Sequence, residues 1–460
     1  MLNLKSNVVS RFAAEADAMR VSRDLLDQEL ERIDKLPKLG LLWVEYSAYC
    51  LGVNIAPRKR SSEYCRLTRI AVLIVNLSII YSLVAFIKEN YMISFEAYVE
   101  AVLLTFQLSV GVVKMFHFQS KVESCSQLVF STESGEVLKS LGLFDLEMPR
   151  KKELLRSLSL ILINNWMIID KQVMFFFKIV CMPVLYYTMR PYFQYIYDCY
   201  IVKDTCEMTL TYPAIVPFVQ LGKYEFPSYV IRFFLLQSGP IWCFFGKSII
   251  FFFFTKINFL FFCLAVFGFN SLFVVLTRYE SGLIKVLRFL VQNSTSDFLV
   301  PQDQRVKYLQ CCVKLFARIS RHHYQIENLF KYIILVQCSV SSILICMLLY
   351  KISTVLEVGW VWMGMIMVYF VTIALEISLY NLSAQKVETQ SELLFYDWYN
   401  CDWYNESKEF KFMIKLMLLF SRRTLNLSVG GFSNLSHKFL VQVFRLSANF
   451  FLLLRNMNNK

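Results

Sequence analysis

The sequence predicts an all-α membrane protein: a seven-transmembrane helical bundle with a cytosolic N-terminus and an extracellular C-terminus. The first observation is composition. Of the 460 residues, 56% are hydrophobic and only 18% are charged, with a mean hydropathy of +0.46, against roughly 25% charged in a soluble domain. The second is that the apolar runs are continuous over about 20 residues, where barrel strands would alternate with a period of two. The third is where the cations stand. Lys and Arg beside short loops are retained in the cytosol. Arg58, Lys59, Arg60, Arg66 and Arg69 precede the first span, whereas the segments assigned outside hold only Lys88, Arg190, Lys203, Lys223, Lys351, Arg455 and Lys460 of 48 basic residues.

Met1 to Lys38 mixes acids and bases (Arg11, Glu15, Asp17, Arg20) and lacks the apolar core of a signal peptide, so residues 1–69 are assigned to the cytosol. The spans follow as Ile70 to Ile87, Ile93 to Val113, Gln172 to Tyr187, Val230 to Leu276, Tyr332 to Tyr350, Gly359 to Tyr380 and Leu435 to Leu454. Residues 70–305 thus carry spans one to four, and residues 306–460 carry spans five to seven. Seven crossings from a cytosolic start leave Arg455 to Lys460 outside, the opposite parity to a G-protein-coupled receptor. The glycosylation sequons at Asn76, Asn293, Asn381, Asn405, Asn426 and Asn434 all fall in spans or cytosolic segments, in keeping with this assignment. The net charge of +13 comes from cations that flank spans and are not gathered on one soluble face, so nucleic acid is not an expected partner.

The fourth apolar run is too long for one crossing, yet two crossings would put Arg278, Lys285 and Arg288 outside. Gly246-Lys247-Ser248 opens its Phe-rich part. A read-through splice donor encodes Gly-Lys-Ser and a pyrimidine-rich intron end encodes phenylalanines, so residues 246–264 form a candidate retained-intron insertion, with Phe245 otherwise joined to Ala265. A lipid-facing helix extension is the alternative. The tripeptide is not a phosphate loop, because the required glycine five positions earlier is missing.

Catalytic chemistry is not in evidence. The four histidines (His117, His322, His323, His437) have no Cys, Asp or Glu at metal-ligand spacing, and no nucleotide loop, nucleophile elbow or zinc helix is present. No cofactor, metal or catalytic residue is expected. Most of the 13 cysteines fall in spans or cytosolic segments; Cys199 and Cys206 share an outside loop, where a disulfide and two free thiols are both open.

Ionisable residues inside spans are costly and so mark function or a satisfied pair. Glu100, Lys178, Arg232, Glu376 and Arg445 are these positions. On the last span Lys438, Gln442, Arg445, Asn449, Leu452 and Asn456 are spaced 4, 3, 4, 3 and 4, which stacks them on one helical face. Such a stripe must face water or another polar surface. A pore wall built by one helix from each of several subunits fits, with Leu452 closing the path by dewetting; a packing seam with asparagine as interhelical glue fits equally. Aromatic and sulfur side chains also gather in the outward halves of the spans: Met182, Tyr186 and Tyr187 in span three, Phe233 and Phe234 in span four, Trp360 and Met363 in span six. They suit an apolar pocket for a small volatile ligand, or an interfacial aromatic belt.

The chain resembles the insect odorant receptors through most of its length. The resemblance is strongest after span six, where the family's serine, tyrosine and tryptophan are met by Ser391, Tyr399 and Trp403, followed by Tyr404. A basic helix then leads to Gly430, Gly431 and Phe432 and into the last span with Ser436 and Phe439. His323 and Ile326 resemble the family's cytosolic histidine helix. Departures are Ala448, Asn449 and Phe450 where Tyr-Ser-Tyr is common, and Asn381 and Ala384 in place of a Cys and a Gly. The last-span motif of the gustatory receptors is absent.

What the resemblance implies is an odorant-binding tuning subunit of a heteromeric, ligand-gated, non-selective cation channel. Its expected partners are a small volatile odorant, the shared olfactory co-receptor in a tetrameric assembly, and membrane lipid. Its expected place is the plasma membrane of the olfactory neuron dendrite. The pocket would be Met182, Tyr186, Tyr187, Phe233, Phe234, Trp360 and Met363, the pore Arg445, Asn449, Leu452 and Asn456, and the subunit anchor His323, Tyr399, Trp403 and Tyr404. A gustatory-type channel and a secondary transporter are the alternatives, though no inverted repeat supports the latter.

Overall fold

Helices longer than a bilayer is thick dominate the chain. The protein is described here by a computed structural model over residues 38–55, 62–90, 95–133, 148–196, 251–355 and 360–458, together with Leu143 and Leu146. The helices are α1 (Leu39–Cys50), α2 (Ser62–Asn90), α3 (Phe95–Ser120), α4 (Val122–Glu133), α5 (Lys151–Ile196), α6 (Phe251–Gln292), α7 (Arg305–Val355), α8 (Trp360–Asn400), α9 (Lys408–Ser421) and α10 (His437–Asn458). A two-residue antiparallel pair, β1 (Ser428–Val429) with β2 (Ser433–Asn434), separates α9 from α10.

The 51 residues of α7 extend for about 77 Å at the usual rise, whereas the hydrocarbon core is about 30 Å thick. Much of α7 therefore stands outside the bilayer, as do parts of α5, α6 and α8. Their projecting ends, with α9 packed on those of α7 and α8, form an anchor end. Among the described residues four stretches are long and apolar enough to cross a membrane: Ala101–Ser120, Lys151–Met182, Gln302–Ser353 and Ile366–Asn400. They contain or overlap predicted spans two, three, five and six. Spans one and seven are helical as parts of α2 and α10; span four begins outside the described residues and ends within α6, which continues without a break to Gln292.

The third apolar stretch begins well before Gln172. Leu154, Leu155, Leu158, Leu162 and Trp166 are buried in the protein core, so this half of α5 is apolar for packing inside the chain. The same core includes Leu283, Val286, Leu287 and Leu290 of α6, Tyr308, Leu315 and Ile319 of α7, Trp398 of α8, and Phe410, Ile414 and Met417 of α9. A second, smaller core joins Val99 and Leu103 to Leu344, Ile345, Leu348, Ile366, Ile373 and Val443 near the far end. The larger core thus runs from the predicted spans into the helix ends that project beyond them.

Close helix approach at α6 depends on Gly282. A Cβ there would stand 2.4 Å from the Asn165 side chain, whose amide donates to the Arg278 carbonyl at 3.0 Å. Helix α1 enters the bundle through Asp170 of α5, whose carboxylate accepts the Gly40 N–H at 2.7 Å. The anion sits where a helix start leaves backbone donors unsatisfied.

Candidate functional site

Helix α10 is fixed at its start. The Ser436 hydroxyl accepts the Phe439 N–H at 3.2 Å, while the Ser436 and His437 N–H groups donate to Asn381 and Gln385 of α8 at 3.2 and 3.1 Å. Three of the helix's first backbone donors are thereby satisfied from α8 and the cap. Along its length α10 buries Val443 and Ser447, and the Ser447 hydroxyl donates to the Ser342 carbonyl of α7 at 3.1 Å.

Lys438, Gln442, Arg445, Asn449, Leu452 and Asn456 are all exposed. They centre on the side of α10 opposite Val443 and Ser447, since each residue advances the face by about 100°. Within the protomer, among the described residues, the stripe meets no polar partner. It is therefore not a seam between helices of one chain, and a helix whose outward stripe is polar needs water or another subunit against it.

The buried ionisable groups lie elsewhere. In α3, α6 and α8 the Lys114 ammonium donates to the Asn270 side-chain oxygen at 2.6 Å and stands 3.7 Å from the Glu376 carboxylate. The Asn270 amide donates to Glu376 at 2.5 Å, and the Tyr380 hydroxyl donates to the Asn270 oxygen at 2.5 Å. Every member is buried. Beside this cluster runs a chain of ring contacts, Phe269 on Phe118, Phe118 on Phe330, Phe330 on Phe273 and Phe273 on Tyr380, with centroids 4.5 to 5.5 Å apart. Glu376 was flagged by its position within a span; Lys114, just past Val113, and Asn270 were not. Lys178 is exposed, and Arg232 lies outside the described residues.

At the anchor end, Arg288 of α6 donates to Asp397 at 2.5 Å and to Gln390 at 2.9 Å, and Gln292 donates to the other Asp397 oxygen at 2.7 Å. Arg305 is buried and pairs with Glu406 and Asp297. Ser391 accepts the Leu425 N–H at 3.0 Å, fixing the segment that leaves α9. Of the expected anchor residues, Tyr399 and Tyr404 are exposed and Trp403 is half-buried, stacked on Tyr404 at 4.3 Å, with its indole N–H donating to the Tyr399 carbonyl at 3.2 Å. His323 is buried: it holds the anchor together from within.

His323 is the most polar of these internal ties. One ring nitrogen is 2.8 Å from the Glu280 carboxylate of α6, and the other is 3.2 Å from the Asn426 carbonyl. Burial pushes this imidazole down, but the Glu280 charge and hydrogen bond, the Asn426 carbonyl and the Glu327 charge together raise it above the ordinary histidine value. Its neighbour His322 is lowered by burial, which outweighs Glu280.

Of the expected pocket residues, Met182 is exposed on α5 and Met363 is half-buried near the start of α8. Tyr186 and Tyr187 fall within α5 and Trp360 opens α8. Phe233 and Phe234 lie outside the described residues, as do Cys199 and Cys206.

A bundle of long apolar helices with an outward polar stripe on its last helix defines a multi-pass membrane protein. Known proteins sharpen that class. The family profile described as 7tm Odorant receptor matches residues 184–448. The chain is 86% identical to Odorant receptor 67b of Drosophila melanogaster over 95% of its own length and all of that protein, and 25% identical to Odorant receptor 63a of the same fly over 90% of this chain and 94% of the relative. The chain belongs to the insect odorant receptor family. It is an odorant receptor subunit of a ligand-gated channel and not an enzyme.

The fold is also that of the olfactory receptor OR5 from Machilis hrabei. In its complex with eugenol that receptor matches with a TM-score of 0.68 and 13% identity, over 94% of this chain and 98% of that one. A second structure of OR5 matches with the same score, at 14% identity over 93% of this chain and 99% of that one.

Proposed function

We propose that this chain is the odorant-binding subunit of a heteromeric cation channel, in which α10 from each of four subunits, the shared olfactory co-receptor among them, lines the pore. Its N-terminus lies in the cytosol and its setting is the plasma membrane of the olfactory neuron dendrite. The exposed, unpartnered stripe on α10 carries this reading. Assembly would use the anchor end, where Phe412, Leu416, Leu419 and Phe420 form an exposed apolar face on α9 opposite buried Phe410, Ile414 and Met417, with Tyr399, Trp403 and Tyr404 beside it. A volatile odorant would bind among Met182, Tyr186, Tyr187, Phe233, Phe234, Trp360 and Met363, and would gate the channel only through unequal affinity for its open and closed states. The secondary transporter is disfavoured because the sequence has no inverted internal repeat. We read residues 246–264 as a retained-intron insertion, which an intact mature transcript spanning them would contradict.

If Arg445 faces the ion path, its positive charge opposes cation entry. Arg445→Glu should raise unitary cation conductance by about two-fold or more, the scale of a wet charge at close range. Single-channel recording of the heteromer checks this; an unchanged conductance places Arg445 off the path.

A further inference from the structure

Helix α10 is joined to the rest of the chain through the segment 422–436, which holds the β1–β2 pair. This segment packs Leu427, Val429 and Leu435 into the large core and is tied to the body by hydrogen bonds, that of the Ser436 N–H to Asn381 of α8 among them. The Gly430 N–H donates to the Lys331 carbonyl at 3.0 Å, the Ser428 hydroxyl donates to Glu327 at 2.7 Å, the Leu425 N–H reaches Ser391, and the Asn426 carbonyl is contacted by His323. Only the last contact reaches on to another long helix by an ionic partner, since the opposite ring nitrogen of His323 meets Glu280 of α6.

That geometry specifies a protonation state. Both ring nitrogens face acceptors, a carboxylate and a backbone carbonyl, and with Glu280 ionised neither carries a hydrogen to give. A neutral imidazole has one N–H and satisfies one of them; the imidazolium has two and satisfies both. Glu280 is fully buried, and its second carboxylate oxygen has no hydrogen-bond partner among the described residues. Deprotonation of His323 would leave that carboxylate as an uncompensated buried charge, which is strongly unfavourable, and would release the linker.

We infer that His323 is a positioning residue for gating: its charged form ties the linker of the last helix to α6, and its neutral form lets go. Two other ionisable groups face this ring directly, Glu280 from α6 and Glu327 from one turn along α7. His322 adjoins it, and Arg318 acts on Tyr279, next to Glu280. Because the folded value is raised, the tie is complete below the ordinary histidine range and is lost as pH rises through the higher folded value. His322, lowered by burial, does not supply the charge at neutral pH. With the tie gone, movement of α6 reaches α10 only through the packed core and the Asn381 and Gln385 bonds of α8, so odorant-evoked opening weakens while the open pore itself is unchanged. The inference rests on the reading of α10 as the pore helix.

The test is inside-out patch recording of the heteromer with the same co-receptor throughout, at fixed odorant, with bath pH on the cytosolic face stepped from about 7 to about 9. Wild type should lose odorant-evoked open probability by about five-fold, the low end of ordinary coupling between sites, with unitary conductance unchanged. His323→Gln should start low and stay flat. Glu280→Gln should move the loss to lower pH, because the anion that retains the proton is gone. A flat wild-type response, a His323→Gln channel that follows the wild-type curve, or sensitivity confined to the extracellular face would each overturn the inference. The pore reading is judged separately by thiol block of Asn449→Cys: block with no pH effect removes this inference alone, and absence of block removes the reading beneath it.

Discussion

Glu376→Leu should strip most of the receptor from the cell surface. The replacement leaves the Lys114 ammonium buried with its anion gone, and Asn270 loses the acceptor for its amide. Breaking a buried ion pair from one side costs about 3–5 kcal/mol, because the remaining charge has neither partner nor water. That is a large share of the roughly 5–15 kcal/mol that holds a protein folded. The reciprocal change, Lys114→Met, should do similar damage by stranding the carboxylate. The double replacement should recover much of the surface expression, since it removes both charges together. Surface biotinylation of the two single variants and the double variant closes the cycle. A double variant that loses as much as the two single variants added together would mean that the pair is not coupled.

Trp398→Ala should be nearly as severe, for a different reason, and its neighbour in the near-repeat should behave quite otherwise. Asp397-Trp398-Tyr399-Asn400 and Asp402-Trp403-Tyr404-Asn405 look alike in sequence, but the first ends α8 and the second forms a short 3-10 turn after it. Trp398 is fully buried in the large core, and truncating a buried aromatic to alanine costs about 3–5 kcal/mol through lost burial and the cavity left behind. Trp403 is half-buried and stacks on an exposed tyrosine, so Trp403→Ala should cost the protomer under about 1 kcal/mol, in the range of surface substitutions. If the anchor end is the subunit interface, the same change should nonetheless reduce co-purification with the co-receptor. Thermal unfolding of the detergent-solubilised subunit, measured beside pull-down yield, separates the two effects. Normal assembly of Trp403→Ala would remove that residue from the interface.

The sequence revealed those features that one element carries alone. The 4, 3, 4, 3, 4 spacing is a property of a single helix, so the stripe was readable before any neighbour was known. The Lys114, Asn270 and Glu376 cluster was not, because its members come from three helices, 156 and 106 residues apart along its two hydrogen bonds. Lys114 stands at the end of an apolar window and resembles an ordinary boundary cation. Helix α1 escaped notice because Leu41, Val44 and Ala48 are buried while Leu39, Leu42, Trp43 and Tyr46 are exposed, which leaves no single apolar face to detect. The burial of Leu154 to Trp166 was not legible either, since these residues are apolar for a protein neighbour and hydropathy does not distinguish that from lipid. His323 stood out as part of a motif, but only the fold shows it turned inward on Glu280.

The most direct measurement is thiol accessibility along α10 in an assembled, odorant-responsive heteromer. Single cysteines at Asn449 and Leu452, on the stripe, are compared with cysteines at Val443 and Ser447, on the face packed against α7, using a charged, water-soluble methanethiosulfonate. Current through Asn449→Cys and Leu452→Cys channels should be blocked within seconds and faster in the presence of odorant, while Val443→Cys and Ser447→Cys channels should be indifferent. Indifference at Asn449 and Leu452, with odorant responses intact, would mean that ions take another route.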